Sequence, residues 1–191
     1  DAEHGMAHSN LALAYEAIGR TDEALEHYGL AIEYLPQDPM PSLYLASLQE
    51  KLGRHDLAAE AYLDALALNP DDDRALFRLG NLYFDQRRYR EASEVYAQAA
   101  DLSPRNPAYL MNFGSTLYHL ERHEEAERIL KQALELERGW GQLYLNLGYA
   151  QRAQGESEEA EESFPRAGNL MSDDTGPSAM RGRGREESRK R

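Results

Sequence analysis

Few side chains in this sequence have the types and spacing that chemistry requires. Arg74 and Arg78 stand four apart. On a helix that is one turn, so both guanidinium groups share a face and can hold one carboxylate. The alternative is that they offset Asp71, Asp72, Asp73 and Asp85. His4 and His8 are four apart, as are His119 and His123. Two imidazoles at that spacing can share a metal. The second pair has only Glu121, Glu124 and Glu125 nearby as further ligands, and His123 reads as part of a turn. Solvated histidine is therefore the expectation, with no metal site. No nucleophile-elbow Gly-x-Ser-x-Gly, phosphate-cradling loop, His-Glu-x-x-His or dinucleotide glycine fingerprint occurs. With no Cys in the chain, thiolate nucleophiles, thiolate metal sites and disulfides are excluded. No catalytic residue and no cofactor are expected, and the chain does not read as an enzyme.

The elements that carry these side chains must be built from 191 residues, 41% apolar and 29% charged. That composition suits a folded chain and is far from a disordered one. No apolar run approaches the ~20 residues that cross a bilayer. Asp1–Asn10 has neither a basic start nor an apolar run, so no signal peptide is expected there, and the Cys-free chain fits a reducing, cytoplasmic setting. The formal net charge is −13, yet Thr175–Arg191 carries +4, which leaves −17 on the rest. A body this acidic repels phosphates and anionic lipid, so nucleic acid and membrane surfaces are not expected partners.

The dominant signal is an internal repeat. Leu11, Leu45, Leu79, Phe113 and Leu147 recur at steps of 34 residues without insertion or deletion. Five units follow: 5–38, 39–72, 73–106, 107–140 and 141–174. Position 20 of each unit is Ala24, Ala58, Ala92, Ala126 and Ala160, and position 27 is Ala31, Ala65, Ala99, Ala133 and Ala167. Position 8 is always Ala or Gly, and position 24 is Tyr28, Tyr62, Tyr96, Leu130 and Phe164. Pro36, Pro70 and Pro104 close the first three units. Each unit has two stretches with helical apolar spacing, such as Ser42–Leu52 and Asp56–Leu68, and Gly19, Gly53 and Gly155 break the chain between them. That is helix–turn–helix. Small residues let the two axes approach, and the large side chain at position 24 fills the space beside them. Helices this short are marginal alone and must bury a face on their neighbours. Pro165 falls inside the last predicted helix, where it costs ~3 kcal/mol. With Gly168 three residues on, it predicts a kink or fraying, with Phe164 and Leu170 partly exposed.

These residues resemble the tetratricopeptide repeat family over 5–174. The resemblance implies an all-α, right-handed superhelical α-solenoid. Residues 1–4 read as the closing turn of a preceding unit, and 175–191 as a disordered basic tail that cannot supply the family's usual solvating end helix. Self-association through the uncapped ends is a further expectation.

In such arrays the first helix of each pair lines a concave face, through unit positions 2, 5, 6, 9, 12 and 13. Here those positions hold Glu16, Glu50 and Asp85 against Lys51, Arg74, Arg78 and Arg152, a net of +1. The remaining inward residues are mostly apolar, aromatic or amide, and Met6, Met40 and Met111 suit an adaptable surface. The resemblance therefore implies a peptide-binding groove, with Asn10, Tyr44, Arg74, Phe77, Arg78, Asn81, Met111, Asn112, Ser115, Asn146 and Tyr149 as its candidate residues. The carboxylate clamp of co-chaperones is matched only by Arg74 and Arg78; Ser9, Leu13 and Tyr44 stand at its other positions. The asparagine ladder of O-linked N-acetylglucosamine transferase arrays is matched at Asn10, Asn112 and Asn146, but not at Tyr44 and Arg78. An amide there can donate to and accept from a peptide backbone. The leading expectation is a non-enzymatic scaffold for a peptide or protein segment. The alternative is the substrate-recruiting arm of a larger, glycosyltransferase-like enzyme. Arg181-Gly-Arg-Gly-Arg also resembles RNA-contacting tails, a third and weaker expectation.

Overall fold

The computed structural model describes residues 2–172, and the expectations for the 175–191 tail lie outside them. The chain forms two compact units, Asp1–Gln86 and Arg87–Arg191. The first holds α1 (Ala2–Ala17), α2 (Thr21–Tyr34), α3 (Met40–Lys51), α4 (His55–Leu68) and α5 (Asp73–Asp85). The second holds α6 (Tyr89–Leu102), α7 (Pro107–His119), α8 (His123–Leu136), α9 (Gly141–Gln154) and α10 (Ser157–Ser172). No strand occurs among the described residues. In the first unit α1 packs on α2, α2 on α3, α3 on α4 and α4 on α5; in the second each helix packs on the next, and α7 also meets α9.

The ten repeated alanines are all buried, none more than 2% exposed. Tyr28, Tyr62, Tyr96 and Leu130 are buried beside them and Phe164 partly so. The glycines at position 8 have a measurable reason. A Cβ on Gly114 would stand 2.7 Å from Leu130 Cγ, and one on Gly148 would stand 2.8 Å from Phe164 Cε1. Small faces large across the α7–α8 and α9–α10 hairpins, which sets how closely their axes lie.

The turns follow one scheme. Gly19, Gly53 and Gly155 take φ of 76°, 70° and 84°, and Arg87 and Glu121 take 60° and 61° at the same unit position. The left-handed residue lets the next N–H reach back five residues, as Arg20 N to Tyr15 O at 2.9 Å and Arg122 N to Leu117 O at 3.0 Å. Glycine enters that region freely, whereas other residues lose ~1–2 kcal/mol there. Glu121→Gly is therefore expected to stabilise the protein by up to ~1 kcal/mol after glycine's entropy cost, and Gly53→Ala to destabilise it by ~1–2 kcal/mol. Thermal melts of the two variants should shift in opposite directions; a Glu121→Gly variant that melts at or below the wild-type temperature contradicts the strain.

One expectation is corrected. Ala2–His4 do not form a closing turn but begin α1, because Ala2 and Glu3 are good helix formers and Glu3 complements the helix N-terminus. Pro165 lies inside α10, which runs on through it to Ser172. Ala160 and Ala167, at most 2% exposed, and Ser163, bonded at 2.9 Å to Gln151 of α9, anchor it on both sides of the proline. Phe164 and Leu170 are partly exposed.

Candidate functional site

Five of the ten helices, α1, α3, α5, α7 and α9, carry the candidate residues. Loop carboxylates and amides start two of them. Asp72 accepts from Arg74 N at 3.1 Å and Ala75 N at 2.9 Å, and Asn106 accepts from Ala108 N at 3.1 Å, with Pro107 in the first turn.

In the first unit, Asn10, Arg74 and Arg78 are exposed, while Tyr44, Phe77 and Asn81 are half-buried. The Tyr44 ring lies 6.0 Å from that of buried Tyr28. The acids of this face are not loose. Glu16 accepts from Tyr28 Oη at 2.9 Å and from Lys51 Nζ at 2.5 Å. One unit on, Glu50 accepts from Tyr62 Oη at 3.0 Å and from Arg78 Nη1 at 3.2 Å. Each carboxylate thus takes a phenol from its own hairpin and a cation from the next unit. Of the Arg74–Arg78 pair, Arg78 is engaged with Glu50 through an exposed contact worth under ~1 kcal/mol. A ligand carboxylate can still compete for it.

Burial raises the Glu16 carboxyl, but the bonds from Lys51 and Tyr28 outweigh it and hold the group below its ordinary value of 4.5. Burial and the facing carboxylates push the Tyr28 and Tyr62 phenols upward. Glu16 therefore adds stability when ionised, fully present above pH 4.5 and lost as pH falls through its lower folded value. Glu16→Gln should flatten the acid limb of stability against pH, measured by urea unfolding between neutral pH and pH ~3. An unchanged acid limb would remove Glu16 from that role.

In the second unit, α7 and α9 enclose a cavity of about 250 Å³ lined by Ser115, Tyr118, His119, Asn146 and Tyr149. Three of these are expected candidates, whereas Tyr118 and His119 are additions. Both sit at unit positions assigned inward, and an aromatic beside a histidine there was the available signal. The Tyr118 and Tyr149 rings lie 6.2 Å apart, Tyr149 meets Phe164 edge-on at 5.4 Å, and His119 stacks on Tyr89 at 4.6 Å. Arg152 lies over the Tyr149 and Phe164 rings, 5.3 Å from each centroid. Burial, then the Arg87 charge, holds the His119 imidazole below its ordinary 6.5.

The asparagines divide. Asn146 lines the cavity and accepts from Gln142 Nε2 at 2.8 Å. Asn112, like Met111, is half-buried outside the lining, and its amide donates to Tyr96 Oη at 3.4 Å. The histidines also pair differently from their sequence spacing. His8 Nδ1 lies 2.8 Å from His27 Nδ1, and His123 opens α8 rather than lying in a turn. Among the described residues no group of three His, Cys, Asp or Glu is placed to hold a metal ion. No helix among them is long and apolar enough to cross a membrane. Acidic side chains gather elsewhere: Glu124, Glu127 and Glu135 border one depression on α8, and Glu121, Glu124 and Glu125 another at its start.

Family models for the tetratricopeptide repeat match residues 9–73, 43–107 and 77–142, and a second such model matches 141–164. None of the curated proteins matches the chain. Solved structures do. A crystal structure of MamA protein is 18% identical, with 90% of this chain and 94% of that one covered at a TM-score of 0.82. MamA 41-end from Desulfovibrio magneticus RS-1 is 19% identical over 89% and 96% of the two chains, at 0.79. MamA AMB-1 is 24% identical over 90% and 94%, at 0.78. At these identities the likeness is one of fold: an all-α solenoid of helix–turn–helix units.

Proposed function

The chain belongs to the tetratricopeptide repeat family, and from that premise we propose that it is a non-enzymatic scaffold whose first-helix faces hold a peptide or protein segment. The repeat architecture is that of a protein-interaction scaffold generally; the finer reading rests on the α7–α9 cavity. Its lining is aromatic and amide with no carboxylate, in a chain of net charge −13. Aromatic surface left open in a concavity, with a few polar groups to orient a ligand, is the usual composition of a binding site. Ser115, Asn146 and Tyr149 contact the ligand there, with Met111 and Asn112 alongside. Asn10, Tyr44, Arg74, Phe77, Arg78 and Asn81 form the corresponding face of the first unit. Helices present these groups in a fixed geometry, so a segment can be gripped without ordering the scaffold first.

The test is affinity capture with mass spectrometry, wild type beside an Arg78→Ala/Asn112→Ala/Tyr149→Ala variant. The expected result is loss of the same specific partners from the variant at unchanged melting temperature. Partner recovery identical to wild type overturns the reading.

A further inference from the structure

The α7–α9 cavity carries two features that select among peptides. The first is size. About 250 Å³ is below the ~300–1,000 Å³ of sites that enclose a whole small molecule, and suits a single large side chain. The Tyr118 and Tyr149 rings, 6.2 Å apart, supply aromatic surface to its lining.

The second is charge. Six cations of the acidic chain are engaged in ion pairs: Arg20, Arg88 and Arg122 by the glutamates three residues on, Lys51 by Glu16, Arg78 by Glu50 and Lys131 by Glu127. Arg152, beside the cavity, is held by aromatic rings instead. It is exposed, and its contacts are the faces of Tyr149 and Phe164, with no carboxylate on it among the described residues. A guanidinium held by ring faces keeps its in-plane N–H donors available, and that fork matches a carboxylate. The depressions at α8 are bordered by glutamate, and this one is not.

We infer that the α7–α9 cavity takes a large apolar side chain of a peptide, and that Arg152 takes an Asp or Glu carboxylate of that same peptide. The inference rests on the groove reading above and narrows it to acidic segments with an apolar anchor. The glutamates at the α8 depressions repel such a segment, so the Arg152 end of α9 is where it gains attraction.

A random-peptide display library selected on the full chain should enrich sequences pairing an aromatic or branched aliphatic residue with a nearby Asp or Glu. A fluorescein-labelled consensus peptide is then titrated by anisotropy. Tyr118→Ala should weaken it about 30-fold and Arg152→Glu about tenfold. A Glu-to-Lys version of the peptide should regain affinity on the Arg152→Glu variant. If Tyr118→Ala melts early, Ser115→Phe, which fills the cavity, gives the same readout. Selected peptides that need Tyr118 but are basic, or are indifferent to Arg152→Glu, overturn the inference and leave the groove reading standing. Peptides indifferent to Tyr118→Ala, Ser115→Phe and the triple variant overturn both, and a library with no enriched sequence overturns the inference.

Discussion

Gly114→Ala is expected to change sign with its background: destabilising in the wild type, stabilising in Leu130→Ala. Leu130 is fully buried, and removing its side chain should cost ~2–5 kcal/mol. In the wild type a methyl on Gly114 meets Leu130 Cγ at 2.7 Å and Cδ2 at 3.0 Å. Overpacking of that kind costs ~1–3 kcal/mol, offset in part by the ~0.5–1 kcal/mol that Ala gains over Gly inside a helix. With Leu130 cut back to Ala the obstruction is gone, and the methyl partly fills the vacated space. The Ala126 carbonyl oxygen, 3.3 Å from the added carbon, is common to both backgrounds and cancels. The coupling should be ~1–3 kcal/mol, read from urea unfolding of the four proteins in the cycle. Equal effects of Gly114→Ala in both backgrounds would sink the account of why positions 8 and 24 alternate small and large.

Pro165→Ala should raise stability by ~2–3 kcal/mol, mostly within α10. Proline inside a helix removes one hydrogen bond and crowds the preceding turn, a loss of ~3 kcal/mol relative to alanine. Pro165 is exposed, so the substitution takes nothing from the core. Amide exchange should slow along residues 161–172 more than elsewhere, because helix opening there costs more once the missing bond is restored. Unchanged protection of α10 together with an unchanged melt would mean that the helix has already relaxed around the ring.

The parts of this fold that were legible from sequence are those set by periodicity. Ala24 and its nine counterparts recur because each occupies the same close approach, so a linear pattern reports a packing fact directly. Arg87 and Glu121 were not legible, since the left-handed turn is imposed there by the two flanking helices and not by a glycine. The Glu16–Lys51 contact spans 35 residues and the His8–His27 contact 19, and neither spacing is a helical period. At the candidate site, Ser115, Asn146 and Tyr149 were read from unit positions and do meet around one cavity. Tyr118 and His119 were on the same positions but looked like generic inward residues until α9 supplied the opposite wall. Asn112 looked equivalent to Asn146, yet the Tyr96 hydroxyl beside it engages its amide. Local pattern fixed which face a residue joins, and its neighbour's chemistry decided what it does there.

Glu16 and Glu50, at unit position 12 of the first two copies, each take a phenol from the same hairpin and a cation from the copy that follows. Excising residues 39–72 in frame would bring Arg78 to Glu16 in the geometry it now has with Glu50. Recombination that removes the second copy can therefore shorten such a gene and still leave Glu16 a cation at the new junction.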